Sequence, residues 1–151
     1  MDLNDVVRRS VSVVMTQMSM NHVDLSFDLA ADLPLVQADA NQIEQVVVNL
    51  VLNACQALAD MDRGIQVATT FDPQRGEVKL TVKDEGVGIP AEHLAHLTDP
   101  FFTTRRASGG TGLGLSVSAG IVKDHRGKLE FLSAAGAGTT AVMTLPAMKG
   151  I

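Results

Sequence analysis

Three groups of residues in this sequence have types and spacings suited to chemistry. Gln45, Asn49, Asn53 and Gln56 lie at i, i+4, i+8 and i+11, which sets four carboxamides in one stripe of a helix. No charged residue occurs from Gln45 to Ala59. A helix face bathed in water usually carries Lys and Glu, which form helices better than Asn does. The stripe therefore either faces water or lines a partly dry cavity with a polar ligand. Asn offers a neutral oxygen to a hard cation such as Mg²⁺ on phosphates.

Asp84 ends a run in which Val78, Leu80 and Val82 share its parity, so it points toward the core with them. An inward carboxylate needs hydrogen-bond donors, and the exocyclic amine of adenine is one. Gly86 and Gly88 permit close approach of backbone to a ligand. Asp-x-Gly is also ordinary turn chemistry, so a turn cap is the competing reading. The third group is Gly109-Gly110-Thr111-Gly112-Leu113-Gly114-Leu115, entering a helix. Backbone N–H groups at such a helix start, together with the helix dipole, make an anion site. The run is neither a P-loop nor a dinucleotide fingerprint, and a flexible linker is its competing reading.

The elements that must hold these residues are legible from periodicity. Apolar residues at 3, 6, 7, 11, 14, 15 and 18 predict an amphipathic helix over Leu3 to Met18. Val23 to Leu29 alternates strictly and predicts a half-buried strand. Asp39 caps a second helix running to about Ala59, with Gln42 placed as in a capping box. Strands are expected at Ile65–Phe71 and Glu77–Lys83, around an Asp72-to-Gly76 turn. The stretch from Asp84 to Gly112, with room for a short helix near Ala91–Leu97, exceeds the ~12–15 residues of an ordinary connection. A third helix from Leu113 to about His125 ends at Gly127, and strands at Lys128–Ser133 and Thr139–Leu145 close the chain. The expected fold is α+β: a two-layer sandwich whose mixed, mostly antiparallel sheet is covered on one face by about three helices, in one domain over 1–151.

Bulk properties narrow the function classes. Five Phe and no Tyr or Trp make the core aliphatic. A formal net charge of -5 leaves no electrostatic footprint for nucleic acid. The single cysteine, Cys55, allows no internal disulfide and fits a reducing compartment. No apolar run approaches the ~18 residues of a membrane span, and no signal-peptide pattern is present. A cytoplasmic domain without membrane contact is expected, whether or not a longer parent protein is membrane-anchored.

Taken together, the three groups resemble the nucleotide site of the GHKL superfamily, which includes gyrase, the ninety-kilodalton heat-shock chaperone, histidine kinases and the mismatch-repair protein MutL. Asn49-Leu50-Val51-Leu52-Asn53-Ala54 resembles its N box, and Asp84-Glu85-Gly86-Val87-Gly88-Ile89-Pro90 its G1 box. Asp99-Pro100-Phe101-Phe102-Thr103-Thr104 is similar to the F box, in a form particular to histidine kinases, and Gly110-Thr111-Gly112-Leu113-Gly114-Leu115 to the G2 box. Gly136 to Thr140 matches the usual ending of those kinases. The likeness spans Leu3 to Pro146, and the short lid around the F box resembles nitrogen-regulation-type sensor kinases.

The resemblance implies a Bergerat fold, ATP or ADP as ligand, and Mg²⁺ held by Asn53 with Asn49 beside it. Asp84 would accept the adenine amine, with Gly86, Gly88 and Ile89 against the base. Phe101, Phe102, Thr103 and Thr104 would form an ATP lid, with Arg105 and Arg106 within reach of phosphate. Gly110, Thr111, Gly112, Leu113, Gly114 and Leu115 would cradle the phosphates, and Thr140 would support Asp84 from the next strand. Gln56 replaces the basic residue that many members carry. ATP-hydrolysing relatives place a Glu where Asn49 stands, and an amide is a poor general base. Neither Glu44 nor Glu85 matches that position. The implied reaction is transfer of the γ-phosphoryl group to a histidine on a separate dimerisation and acceptor domain, and through it to a response regulator. His22, His93, His96 and His125 lack the family's acceptor context, so all four are expected to be structural or solvent-facing, and the isolated domain to be monomeric. An anti-sigma-type serine kinase, or an interaction module that binds nucleotide without transferring phosphate, are the alternatives.

Overall fold

The computed structural model describes residues 1–18, 24–58, 64–84, 114–133 and 138–148. The elements run α1 (Leu3–Met18), β1 (Asp24–Asp28), α2 (Ala40–Leu58), β2 (Gly64–Asp72), β3 (Glu77–Asp84), α3 (Gly114–Asp124), β4 (Lys128–Ser133) and β5 (Thr139–Pro146). The five strands form one sheet in the order β1-β2-β3-β5-β4. Only the β1–β2 pair is parallel, as the crossover through α2 requires; the other pairs are antiparallel. The helices cover one face, with α2 between α1 and α3 and packed over the central strand β3. This is the expected α+β sandwich.

The apolar stripe of α1 does what its spacing predicts: Leu3, Val6, Val7, Val11 and Val14 are all buried. They meet Ile43, Val46, Val47 and Leu50 of α2 and the inward rows of β2 and β3 in one core. No aromatic residue belongs to its buried set among the described residues. The start of α1 is also fastened by polar groups. Asn4 Nδ2 donates to the Ala30 carbonyl (2.9 Å), and Thr69 Oγ1 donates to Asn4 Oδ1 (2.8 Å) while accepting from the Ala30 N–H (2.9 Å). Each buried group therefore has a partner, which removes the penalty of burying it.

Three local expectations are modified. β1 ends at Asp28, one residue before its alternating run does, and Phe27, at an inward position opposite Val67, is 47% exposed because β1 is an edge strand. Asp39 caps α2, with Oδ1 accepting from the N–H groups of Asn41 (2.9 Å) and Gln42 (3.3 Å). The Asp39 N–H, however, donates to Nε2 of His125 at 3.2 Å. His125 Nδ1 lies 2.8 Å from the Ile121 carbonyl. The two contacts together require the neutral tautomer with its proton on Nδ1. His125 thus joins the end of α3 to the start of α2, a structural role as expected.

The end of α3 is the third. The N–H of Gly127 donates to the Val122 carbonyl and that of Arg126 to the Lys123 carbonyl, both at 2.9 Å, which is a Schellman motif. Its left-handed residue is Arg126, with φ 63°, and not the glycine. Gly127 is needed for closeness instead: a Cβ there would fall on the Thr144 carbonyl oxygen and lie 2.9 Å from Leu145 Cδ2. Arg126→Gly is accordingly expected to be neutral or to stabilise by up to ~1 kcal/mol. Gly127→Ala is expected to cost about 1–3 kcal/mol through overpacking against backbone. Urea denaturation midpoints check both, and a loss at Arg126→Gly as large as that at Gly127→Ala would refute this division of roles.

Candidate nucleotide site

The inward parity of Asp84 holds. Val78, Leu80, Val82 and Asp84 are all buried on the helix-covered side of β3, and Asp84 is only 4% exposed. A carboxylate at that depth demands donors. The Thr139 N–H supplies one, donating to Asp84 Oδ1 at 3.3 Å. The pairing register sets Thr139 opposite Asp84 and Thr140 opposite Lys83. Directly paired residues share a face and neighbours along a strand alternate. Thr139 is therefore the residue beside Asp84, and Thr140 belongs to the outer face.

On α2 the carboxamide stripe divides by depth. Gln45 is exposed, whereas Asn49 and Asn53 are half-buried. The backbone of Gln56 continues the helix, but its side chain lies outside the described residues. Asn49 Nδ2 donates to Oγ of Ser118 on α3 at 3.1 Å, and Ser118 is fully buried. Sequence reasoning passed over Ser118. A small polar residue at that position on α3 gives no local sign that it meets a residue 69 positions away.

The same contact fixes how α2 and α3 align. Asp39 meets His125, and Asn49 meets Ser118, so the two helices run antiparallel. Each helix rises about 1.5 Å per residue. One turn beyond Asn49 on α2 is Asn53, and one turn before Ser118 on α3 is Gly114. Asn53 therefore comes level with the start of α3, into which the glycine run leads. Leu115, in the first turn, packs against the core and so anchors that helix end. Gly86, Gly88, Ile89, Phe101, Phe102, Thr103, Thr104, Arg105, Arg106, Gly110, Thr111, Gly112 and Leu113 lie outside the described residues, as do the segment 91–97, His22, His93 and His96. No cluster of three or more His, Cys, Asp or Glu capable of holding a metal occurs among the described residues. Neutral amide oxygens suit a cation whose charge is already balanced by phosphates, so Asn49 and Asn53 fit Mg²⁺ delivered with a nucleotide.

A buried acceptor at the end of β3, two amides on α2 and the start of α3 thus share one side of the fold. Residues 38–149 match the family model described as histidine kinase-, DNA gyrase B- and HSP90-like ATPase. The chain belongs to this ATPase family. Among its relatives, the sensor histidine kinase ZraS of Escherichia coli is 37% identical over 145 residues, covering 96% of this chain and 30% of ZraS. The solved catalytic domain of the histidine kinase ThkA superposes with a TM-score of 0.84 at 29% identity, covering 97% of this chain and 93% of that domain. A complex of ThkA with the response regulator protein TrrA matches with a TM-score of 0.81 at 27% identity, over 98% of this chain and 41% of that chain. The chain spans roughly a fifth to a third of the length of the curated relatives it matches. Family membership implies that the chain binds ATP or ADP. No helix among the described residues is long and apolar enough to cross a membrane.

Proposed function

We propose that this chain is the catalytic portion of a sensor histidine kinase, which binds Mg²⁺–ATP and presents its γ-phosphoryl group to a histidine on a dimerisation and acceptor domain. The observation that carries this reading is the pairing of a buried Asp84, at the end of β3, with Asn49 and Asn53 on the helix packed over that strand. Asp84 accepts the adenine amine and so sets the orientation of the base. Asn49 and Asn53 hold the phosphate end, with Asn53 the ligand of Mg²⁺, which neutralises phosphate charge when bound. Asn49 stands where a hydrolytic relative places a general base, and an amide cannot take a proton from water at neutral pH. The site therefore orients ATP and hydrolyses little of it, and transfer rests on positioning and charge stabilisation. The likeness to ThkA and its complex supports a response regulator as the final recipient of the phosphoryl group.

The test mixes the chain with labelled ATP and a separate dimeric acceptor-helix domain. Acid-labile label on a histidine of that domain is the expected result; tight nucleotide binding with no transfer would favour an interaction module instead. Within the site, Asn53→Ala is expected to weaken ATP binding about tenfold or more in the presence of Mg²⁺, and much less in EDTA. Equal losses in calorimetry with and without the metal would remove Asn53 from the metal's coordination shell.

A further inference from the structure

We propose that Ser118 is a positioning residue of the nucleotide site, acting through Asn49; the inference rests on the site being the Mg²⁺–ATP site argued above. A buried serine within a helix commonly bonds to the carbonyl four residues back. Ser10 of α1 does so, its Oγ donating to the Val6 carbonyl at 2.7 Å. Ser118, equally buried, instead receives a hydrogen bond from the neighbouring helix, at 3.1 Å from Asn49 Nδ2.

Two consequences follow from that geometry. A carboxamide is planar, with oxygen and nitrogen on opposite prongs, so engaging Nδ2 on α3 fixes which way the oxygen of Asn49 is presented. An Asn whose amide can turn over presents sometimes an acceptor and sometimes a donor, and beside a Mg²⁺ held by Asn53 only the acceptor suits the waters that the metal keeps. The bond also ties α2 to α3 one turn before Asn53 comes level with the start of α3. The spacing between the amides and the phosphate-binding end of α3 is thereby set by a contact that touches neither nucleotide nor metal. Supporting residues of this kind hold ligating groups in register, and their loss commonly weakens a metal site tenfold or more.

Ser118→Ala and Ser118→Cys in the whole chain test the assignment, with Asn49→Ala and the double variant Asn49→Ala/Ser118→Ala beside them. The cysteine keeps the side-chain volume but is a weak acceptor, so a loss shared by both variants does not come from a cavity. Calorimetry with ATP is expected to show affinity about tenfold weaker in Mg²⁺ for both Ser118 variants, with a smaller change in EDTA. In the Asn49→Ala background, Ser118→Ala is expected to add less than about twofold, because residues acting through one another are not additive. Independent losses that multiply in the double variant, or wild-type affinity in Ser118→Cys, would overturn the positioning role. Failure of the unaltered chain to bind ATP would instead overturn the nucleotide reading on which this one stands.

Discussion

A chain beginning at residue 38, where the match to the family model starts, is expected not to fold cooperatively. The missing part contains α1 and β1, and α1 alone contributes Leu3, Val6, Val7, Val11 and Val14 to the core, none more than 3% exposed. At about 1.5–3 kcal/mol for each fully buried aliphatic side chain, those five are worth roughly 8–15 kcal/mol in transfer terms. Whole domains are stable by only ~5–15 kcal/mol. Removing residues 1–37 also strips Thr69 of both its hydrogen-bond partners, Asn4 and Ala30, and opens the apolar face of α2 to water. Circular dichroism and urea titration of residues 38–151 check this. A sigmoidal transition with the slope of the full chain would show that the N-terminal helix is dispensable.

The second large effect concerns Asp84. Asp84→Ala is expected to abolish measurable ATP binding. Hydrogen bonds to a charged group contribute ~1.5–3 kcal/mol, and an adenine amine buried without an acceptor adds its own desolvation cost. Asp84→Asn keeps the shape and one oxygen, so an intermediate loss of about 10–100-fold is expected. Both changes also touch the fold, because Asp84 Oδ1 accepts the Thr139 N–H. That bond is partly buried and its loss should cost about 1.5–3 kcal/mol in stability. Nucleotide affinity measured by calorimetry at a temperature where both variants are folded separates the two effects. Wild-type affinity in Asp84→Ala would remove the residue from the site.

Much of this was readable in the sequence, for reasons tied to particular residues. The bounds of α1 followed from the apolar spacing between Leu3 and Met18, because a helix against a core repeats its contacts every 3.6 residues. Asp84 could be placed inward because parity along a strand does not depend on which strands flank it. The cap at Asp39 was legible because both its partners lie within three residues. What escaped was non-local. His125 at the Asp39 N–H and Ser118 at Asn49 reach across 86 and 69 positions, and no local pattern records such a meeting. The choice of Thr139 over Thr140 beside Asp84 is a matter of register, where a shift of one residue exchanges the faces. Arg126 in the left-handed region escaped because glycine is the usual occupant and Gly127 stood next to it.

The strand order also governs how the chain comes together as it is made. β2–β3 and β4–β5 are local hairpins, but the sheet is completed only when β3 meets β5, and Asp84 and Thr139 are 55 positions apart. At synthesis rates of about 5–20 residues per second, the edge of β3 waits roughly 3–11 s for its partner strand to be made. An open strand edge is a template for pairing with other chains. β3 carries Lys79 and Lys83, on either side of Thr81 along the face that the helices do not cover. In the finished sheet these lysines sit on a central strand. While the nascent chain waits, they are the charges that discourage a neighbouring polypeptide from taking the place of β5.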